Sequence, residues 1–445
     1  MPHTASVLRT NLTPLSVNDL MEGWSSLNKG ERTAQFQKIP REFADDFFLA
    51  LDARDQYELL VTVPEGERRI WLRLLAPDDA ADLIQLAPQS RRTDLLDMLD
   101  AASRQEVTAL LAYKEDQAGG LMSPRFARLR PEMTVDEAIS YLRHQAPQLE
   151  TMYYAYALDS DQHLLGVVSL RDLFSADRTK TVTDVMRKQF IKATDQMDQE
   201  VLAKLFSEHH LMAIPILDGE GRMHGIVTVD DIVHVVEREA GEDIQKIGGS
   251  EAFDEPYLRI GFMSMVRKRG GWLAALFLGE MLTATAMGYF EGEISKAVVL
   301  ALFIPLIISS GGNSGSQATT LVIRAMALGE VRLSQWWLVI RREVLSGVVL
   351  GTMLGLIGMT RILIWQAVAK PYGEHYMQVA LTVGFSLIGV VLFGTMAGSM
   401  LPFILRSIGV DPASASAPFV ATLVDVTGLV IYFTIASVIM RGTLL

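Results

Sequence analysis

A single carboxylate interrupts the last long apolar stretch of the sequence, where Asp425 lies within PFVATLVDVTGLVIYF. An ionisable side chain near the middle of such a stretch costs about 3 kcal/mol on membrane-insertion scales, so a functional site is the default explanation. Ala421 and Ala417 precede it by one and two helical turns and leave room on the same face for a hydrated ion. The structural alternative is a buried ion pair with Arg324 or Arg361. Because both arginines lie near the ends of apolar stretches, where their side chains can reach water, the sequence favours an ion site at Asp425.

The residue types around Asp425 indicate which ions such a site would take. One carboxylate per chain in a wide site suits a hard divalent cation that keeps most of its water, as Mg²⁺ does. No histidine accompanies it and the chain has no cysteine, which argues against zinc or copper. These residues do not separate Mg²⁺ from Mn²⁺ or Ca²⁺. Glu280, in an earlier apolar stretch, either lines the same path or forms a hydrogen bond between helices.

A second polar group lies inside another apolar stretch, where residues 304–320 read IPLIISSGGNSGSQATT. Irregular backbone at membrane depth is tolerated only where it is buried in protein or lines a wet cavity. We therefore predict pore-lining residues at Pro305, Gly311, Gly312, Asn313, Gly315 and Gln317. Pro305 is expected to loosen the helix by removing a backbone donor. The alternative is a helix-packing interface of small residues, which accounts for the glycines but not for Asn313 or Gln317.

Composition divides the chain into a charged half and an apolar half. Of 445 residues, 49% are hydrophobic, and the formal net charge of −12 lies mostly before about residue 262. An acidic first half argues against nucleic acid as a partner and suggests cations instead. The N-terminus has no apolar segment of the signal-peptide type, so we expect the first half to stay in the cytoplasm.

Five apolar stretches in the second half reach the length of about 20 residues that a membrane span requires. They cover residues 272–290, 297–325, 343–367, 377–405 and 417–440. Basic residues precede the first stretch and follow the second and fourth, namely Arg267, Lys268, Arg269, Arg332, Arg341, Arg342 and Arg406. This asymmetry predicts a cytoplasmic N-terminus and a C-terminus on the opposite side. An odd number of spans excludes an inverted repeat of equal halves, so a pore is expected on a two-fold axis between two chains.

The charged half contains short amphipathic segments followed by an internal repeat. Residues 16–115 predict a stacked right-handed array of helices. Residues 120–143 and 184–208 each run from a methionine through a short strand to a helix that begins with acids, and a strand pair follows each copy. The copies are about 62 residues apart and resemble a tandem pair of cystathionine-β-synthase-type (CBS) modules.

The predicted fold is therefore multidomain, with an α-helical N-terminal superhelix, tandem α/β CBS modules and a five-helix α transmembrane domain in each chain. The expected boundaries are 1–119 for the helical domain, 120–183 and 184–241 for the CBS modules, 242–270 for a connecting helix and 271–445 for the membrane domain.

Two motifs in the apolar half closely resemble the MgtE family of bacterial magnesium channels. They are P-x5-GGN-x-G-x-Q at Pro305–Gln317 and DP-x5-P-x2-ATL-x-DVTG at Asp411–Gly428. The resemblance spans essentially the whole chain. It implies a homodimer in the bacterial inner membrane, an ion path on the dimer axis and hydrated Mg²⁺ held at Asp425, with Ala421 and Ala417 as wall positions. Position 417 departs from the family, in which a polar residue is frequent.

The resemblance also implies closure by intracellular Mg²⁺ bound between the cytoplasmic domains and the connecting helix. The matching acids are Asp231, Glu239, Glu242, Asp243 and Asp411, and less directly Asp78, Asp82, Asp198 and Glu200. His210 and His234 stand where relatives tend to have acids, which should weaken the sensor or make it more sensitive to pH. For scattered acids the alternative is simply a solvated acidic surface.

The CBS resemblance further suggests ATP as a ligand. Ser169 with Asp172, and Thr228 with Asp231, are pairs of the ribose-contacting type, although many such modules are structural only. Asp231 cannot readily serve a metal ion and a ribose at once.

Three functions fit these features. The first is a Mg²⁺-gated channel; the second is a coupled divalent-cation transporter, which would need a second titratable or Na⁺-binding group such as Glu280. The third is a membrane-anchored nucleotide sensor, which needs neither the polar second span nor Asp425. The sequence has no phosphate-binding loop, nucleophile motif or paired catalytic carboxylates, so an enzyme is not expected.

Overall fold

The computed structural model describes residues 17–253 and 255–441 of the chain. The chain divides into two compact units, Met1–Glu239 and Ala240–Leu445. The first unit contains the short helices and both CBS modules, and the second contains the long apolar helices.

The N-terminal part of the first unit consists of eight helices of seven to ten residues within the described range. They are α1 Val17–Gly23, α2 Lys29–Phe36, α3 Arg41–Leu49, α4 Ala53–Thr62, α5 Glu65–Leu72, α6 Pro77–Gln85, α7 Gln89–Leu96 and α8 Ala101–Leu110. Asn28, Asp52 and Asp100 cap three of them by accepting backbone N–H bonds. One apolar stripe from each helix enters a shared core that includes the fully buried Phe47 and Ile84, because helices this short are stable only through such packing.

The two CBS modules repeat one fold. The first contains β1 Ala127–Leu129, α9 Val135–Gln145, β2 Tyr154–Leu158, β3 Leu164–Ser169 and α10 Leu170–Ser175. The second begins with α11 Val182–Val185 and continues through β4 Ala193–Thr194, α12 Gln199–His209, β5 Ala213–Leu217, β6 Met223–Thr228 and α13 Val229–Ile247. In each sheet the first strand is parallel to the second, and the second is antiparallel to the third. The predicted repeat and its strand pairs are confirmed.

The second unit is built from long apolar helices. They are α14 Phe262–Tyr289, the short α15 Glu291–Lys296 and α16 Val298–Ala301, then α17 Ile304–Ala327, α18 Trp336–Ala369, α19 Tyr376–Ser407 and α20 Ala417–Ile439. Among the described residues, five segments are long and apolar enough to cross a membrane. The predicted number of spans is therefore confirmed.

Two helices extend beyond the apolar stretches from which they were predicted. Arg341 and Arg342, expected in a loop, lie inside α18, and the basic cluster at residues 267–269 lies inside α14. Arginine and lysine are good helix formers, so an apolar window marks only the part of each helix that meets lipid.

A single helix, α13, contains both the end of the second CBS module and the start of the predicted connecting segment. It ends in a turn in which the Gly249 N–H bonds to the Lys246 carbonyl at 2.9 Å and Gly249 adopts a φ of 76°. A left-handed residue of this kind closes a helix C-terminus and favours glycine. The predicted connecting helix at 242–270 therefore consists of the last turns of α13, a segment with neither helix nor strand among its described residues, and the first turns of α14.

Candidate ion path and regulatory sites

The loop-like GGNSGSQ segment lies inside α17, which runs without a break. The expectation of irregular backbone there is wrong. Pro305 is the second residue of α17, a position whose N–H has no intrahelical partner, so this proline begins the helix and does not loosen it. Glycine has no side chain to block the helical backbone, and neighbouring helices supply the stability that glycine itself lacks.

The glycines of this segment form a close seam with α19. A Cβ atom on Gly394 would overlap the carbonyl oxygen of Gly311, and one on Gly398 would overlap that of Gly315. Small residues at such a seam let two helix backbones approach each other directly. Gly311 and Gly315 are buried, which favours the packing alternative over pore lining for these two residues.

The polar residues of the segment lie on the other side of α17. Asn313 and Gln317 are exposed in the single chain, as is Ser309 one turn earlier. The three follow one another at a spacing of four residues and form one stripe. Packing does not explain these amides, so the pore-lining prediction stands for Asn313 and Gln317.

The stripe lies beside α20. Gly312 approaches Ala421, where a Cβ atom on the glycine would lie 3.5 Å from the alanine Cβ, and the Ser316 hydroxyl donates to the Ala417 carbonyl at 3.1 Å. Residues 313 and 317 each follow one of these contact residues by one position, and they are therefore about 100° around α17 from the seam. Asn313 and Gln317 thus flank the α17–α20 seam on its exposed side.

Asp425 lies on a half-buried strip of α20 together with Ala421 and Ala417. Ala421 faces α17, whereas Thr422 faces α14 at Gly279, where a Cβ atom would lie 3.0 Å from the threonine Cγ2. At 100° per residue, Asp425 projects between these two contacts. The carboxylate is therefore held between α17 and α14, and it is not buried under either helix.

The charged groups near Asp425 do not form the ion pair that was the alternative to an ion site. Glu280 of α14 is within electrostatic range of Asp425. Among the described residues, no lysine or arginine lies within 4.0 Å of the Asp425 carboxylate. Arg361 stacks over Trp365 at 5.8 Å, and Arg324 is exposed near the end of α17. The predicted alternative of an ion pair to Arg324 or Arg361 is wrong.

At the end of α13, a lysine joins two of the predicted regulatory acids. The Lys246 ammonium donates to Asp411 Oδ2 at 2.6 Å and also contacts the Glu242 carboxylate one turn earlier on α13. Partial burial opposes the charge on Lys246, but its hydrogen bonds to Asp411 and Glu242 raise its pKa. Asp411 also accepts the Ala413 N–H at 2.8 Å, so the same side chain orders the turn before α20. Asp243 lies on the same turn of α13 and is half-buried.

Two further contacts connect the end of α13 with the membrane helices of the same unit. Ile247 packs against a buried cluster formed by Ile323, Ala413 and Ala415. The turn at Gly249 approaches both Trp272 and Pro418, which a Cβ atom would meet at 3.0 and 3.1 Å. A displacement of this turn therefore acts directly on Trp272, in the third turn of α14, and on Pro418, the second residue of α20.

A second acidic cluster lies in the first unit, where α6 meets the carboxylates of both CBS modules. Asp78 is buried, with 8% of its surface exposed, and its Oδ1 has no hydrogen-bond partner among the described residues. Glu150, Asp231 and Asp79 all act electrostatically on Asp78, and Asp230 acts on Asp231. A buried carboxylate oxygen that has no hydrogen-bond partner and lies among like charges is a suitable ligand for a hard cation.

The pKa values of this cluster are displaced upwards. Burial, followed by the charges of Glu150 and Asp231, raises the pKa of Asp78 well above its usual range. Burial raises the pKa of Asp231 to about 7, against a hydrogen bond that Thr228 donates to it and with Asp230 as the next charge. Burial and Asp79 raise the pKa of Asp82 to about 7, while Arg238 opposes the shift. A divalent cation would restore the ionised forms.

The remaining predicted sensor residues have local partners. Asp198 caps α12 by accepting the Glu200 N–H at 2.9 Å, which explains this acid without a metal ion. Glu239 accepts a bond from Gln199 at 2.6 Å. Two histidines stand at sensor positions where relatives tend to have acids. His234 acts electrostatically on Asp79, and His210 ends α12 in a left-handed conformation with a φ of 51°.

The candidate nucleotide residues also bond locally. Ser169 caps α10 by accepting the Asp172 N–H at 3.1 Å, and Asp172 pairs with Arg187 at 3.1 Å. In the second module, the Thr228 hydroxyl donates to Asp231 at 2.7 Å. Because Asp231 also belongs to the acidic cluster, the predicted conflict between metal and ribose at this residue persists.

Several residues of these sites were not predicted from the sequence. Asp79, Asp230 and Glu150 join the acidic cluster, and Lys246 and Trp272 join the end of α13. Asp79 and Asp230 are each adjacent to a predicted acid, so the DD pairs at 78–79 and 230–231 were the available signal. Nothing local marks Glu150, Lys246 or Trp272.

Comparison with known proteins covers the chain in three parts. The MgtE intracellular N domain family matches residues 15–116, and the CBS domain family matches 118–178 and 182–238. The MgtE divalent cation transporter family matches 304–435. A solved structure of the cytosolic domain of the Mg²⁺ channel MgtE in complex with ATP is 38% identical, covers 50% of this chain and 90% of its own, and has a TM-score of 0.47.

Full-length relatives are also similar. The magnesium transporter MgtE of Thermus thermophilus is 38% identical over 441 residues, which is 98% of this chain and 95% of the relative. The magnesium transporter MgtE of Enterococcus faecalis is 34% identical over 76% of this chain and 72% of its own length. That of Bacillus subtilis is 31% identical over 86% of this chain and 83% of its own. The chain therefore belongs to the MgtE family of divalent cation transporters.

Proposed function

We propose that this protein is a Mg²⁺ channel of the bacterial inner membrane that mediates Mg²⁺ uptake and closes when intracellular Mg²⁺ binds its acidic sites. The observation that carries the proposal is the position of Asp425. It lies on a half-buried strip of α20 beside the exposed amides of Asn313 and Gln317. A lipid-facing helix has no use for this arrangement, whereas a water-filled path does.

The chemistry of the strip suits a hydrated ion. Ala421 and Ala417 leave space beside the carboxylate, and the amides can bind the water of a hydrated cation. A homodimer with the path on its axis would bring two copies of Asp425 to one ion, which matches the charge of Mg²⁺ while its first hydration shell stays in place. With the N-terminus in the cytoplasm, the acidic unit would be exposed to intracellular Mg²⁺, whose concentration rises with uptake.

Gating is proposed to act through repulsion among carboxylates. Like charges about 4 Å apart near a protein surface repel by roughly 1–4 kcal/mol per pair. Neutralising a few such pairs supplies the about 5.5 kcal/mol that shifts a two-state equilibrium from 1:99 to 99:1. The cluster around Asp78 and Asp231 is the strongest candidate, because it contains an orphaned buried oxygen.

The alternative is a coupled divalent-cation transporter on the same scaffold. Glu280 supports it, because this second carboxyl lies within electrostatic range of Asp425. Coupling would require that Glu280 exchange a proton or Na⁺ in each transport cycle. A channel requires no such exchange, so the two functions differ in their dependence on a second gradient.

We also propose ATP, bound as its Mg²⁺ complex, as a ligand of the CBS modules. The Thr228–Asp231 pair lies next to the acidic cluster, so a nucleotide without a metal ion would add negative charge to carboxylates that already repel one another. Equilibrium dialysis of the full chain with ATP should then show binding in Mg²⁺ and little in EDTA. Equal binding in EDTA would contradict this part of the proposal.

The main experiment is Mg²⁺ uptake into proteoliposomes that contain the wild type or Asp425→Ala, at low and at millimolar Mg²⁺ on the cytoplasmic side. The gated channel requires flux that falls at least tenfold in Asp425→Ala, about the effect of 1.4 kcal/mol, and that also falls in the wild type when cytoplasmic Mg²⁺ rises. Glu330→Ala, which removes an exposed carboxylate just after α17 and outside this polar surface, is the matched control. Flux that is independent of Asp425 would place the ion site elsewhere.

A further inference from the structure

The Lys246 ammonium occupies the space between two carboxylates that were both expected to bind Mg²⁺. Its Nζ lies 2.6 Å from Asp411 Oδ2 and also contacts Glu242. The three side chains are 28%, 38% and 36% exposed, respectively, so the group is partly shielded from water and salt. Its positive charge already neutralises part of the repulsion that a divalent cation would relieve.

We propose that Lys246 is the resident cation of the Glu242–Asp411 pair and that it holds the end of α13 on the turn before α20 in the absence of Mg²⁺. Mg²⁺ then reaches these two carboxylates only by displacing the lysine. This inference deepens the proposed gating, and its second half rests on that function. Lys246 is a positioning residue, since it has no contact with the ion path.

The geometry around the lysine supports a structural attachment. Glu242 and Lys246 are four residues apart on α13, with the acid on the N-terminal side, which is the favourable order for such a pair. Asp411 caps the short 3-10 helix Pro412–Ser414 that precedes α20, and it lies 165 residues further along the chain than Lys246. Lys246 therefore connects α13 to a turn that is distant in the sequence. Its second partner, Glu242, lies one turn earlier on the same helix.

The attachment is reinforced by the residues that follow Lys246. Ile247 packs on the Ile323 cluster, and Gly249 contacts Trp272 and Pro418. Apolar contacts do not depend on the Mg²⁺ concentration. Alone, they would hold the end of α13 equally well with and without Mg²⁺. The Lys246 ion pairs add a polar attachment at the one point where Mg²⁺ can compete.

Distances between two spin labels, measured by electron paramagnetic resonance, test the proposal. Because the chain has no cysteine, the labels attach only at the cysteines introduced for them. Spin labels at Ile244→Cys and Ile408→Cys occupy side chains that are 71% and 68% exposed on α13 and just after α19. The full chain is measured in nanodiscs after dilution with unlabelled protein, in EDTA and then in increasing Mg²⁺. The label pair is combined with Lys246→Met and with Lys246→Arg. Lys370→Met, at the residue that follows α18, is the charge-matched control.

We expect the wild type, Lys246→Arg and Lys370→Met to give one short distance in EDTA. In Lys246→Met the ratio of the short-distance to the long-distance population should fall about three- to tenfold, which corresponds to the stabilisation by two partly exposed ion pairs. Added Mg²⁺ should restore the ratio. Lys246→Arg also shows that the labelled background folds.

Two results would overturn the proposal. An unchanged distance in Lys246→Met in EDTA would show that the lysine holds nothing. A long distance that Mg²⁺ does not restore would show that Mg²⁺ does not take the place of the lysine. Neither result depends on flux, so a wild type whose flux ignores cytoplasmic Mg²⁺ would contradict the proposed gating and leave the attachment by Lys246 intact.

Discussion

Trp272 donates a hydrogen bond from its indole Nε1 to the Oγ of Ser416, over 3.2 Å. Ser416 is also the N-cap of α20, where its hydroxyl accepts the Phe419 N–H at 3.3 Å. One serine therefore joins the first turns of α14 to the start of the helix that contains Asp425. The turn at Gly249 approaches both this indole and Pro418 of α20, so the end of α13 lies directly against the helix that contains Asp425.

The first prediction concerns this indole. Trp272→Phe keeps an aromatic ring but removes the donor, which is worth about 0.5–1.5 kcal/mol. We expect the cytoplasmic Mg²⁺ concentration for half-closure to rise about two- to tenfold, with little change in flux at low Mg²⁺. Trp337→Phe, in an exposed position of α18, serves as control. An unaltered half-closure concentration would mean that the bond does not transmit the movement of α13.

The second prediction separates channel from coupled transporter at Glu280. Glu280→Gln removes a charge near Asp425 and keeps the size of the side chain. For a channel, we expect Mg²⁺ flux to fall by less than about tenfold, to follow the Mg²⁺ electrochemical gradient and to ignore imposed proton or Na⁺ gradients before and after the substitution. Flux that depends on such a gradient in the wild type and loses that dependence in Glu280→Gln would favour the transporter.

The third prediction concerns pH and the acidic cluster. Asp82 and Asp231 have folded-state pKa values of about 7, whereas unfolded aspartate titrates near about 3.9. Between these values the folded form binds more protons than the unfolded form, so stability falls as pH rises from about 4 to about 7. In EDTA, amide hydrogen exchange of α6 should accordingly be faster at pH 8 than at pH 5, after correction for intrinsic exchange.

Magnesium should reverse this effect only where the carboxylates are ionised. Millimolar Mg²⁺ is expected to slow exchange of α6 strongly at pH 8 and weakly at pH 5. Asp82→Asn should slow exchange in EDTA at pH 8, because it removes one repelling charge. Equal protection by Mg²⁺ at both pH values would contradict a cation site in this cluster.

The fourth prediction concerns the glycine seam between α17 and α19. Gly398→Ala places a methyl group against the Gly315 carbonyl oxygen, and we expect a loss of about 1–3 kcal/mol of stability from the strain. Gly288→Ala on α14 is the control, because a Cβ atom there meets nothing within 4 Å. Thermal unfolding in detergent, followed by circular dichroism, measures both. A Gly398→Ala protein as stable as Gly288→Ala would show that the seam can open to accept a side chain.

The sequence predicted the elements well because their signals are local. Apolar length revealed the five spans, and the repeated strand pairs revealed the two CBS modules. The position of Asp425 inside an apolar stretch needed no information from other helices. The backbone of residues 311–315 was wrongly predicted because glycine propensity describes an isolated helix, whereas this helix is supported by direct contact with α19.

Pairs that form across distant elements could not be predicted in this way. Lys246 and Asp411 are separated by 165 residues, and neither has a neighbour in sequence that marks the other. Asp78 was expected as a regulatory acid, but its partner Glu150 comes from a module whose approach to α6 no periodicity describes. Such pairs depend on how elements pack, which a single sequence does not contain.

The glycine seam has a mechanical consequence. Two helices whose backbones touch at Gly311–Gly394 and at Gly315–Gly398 cannot slide or separate without losing these two contacts, so the seam resists relative movement of α17 and α19. No described residue of α14 is buried, and this helix meets α20 where Gly279 faces Thr422. A movement that widens the space beside Asp425 therefore disrupts less packing within the chain at α14 than at α17 or α19.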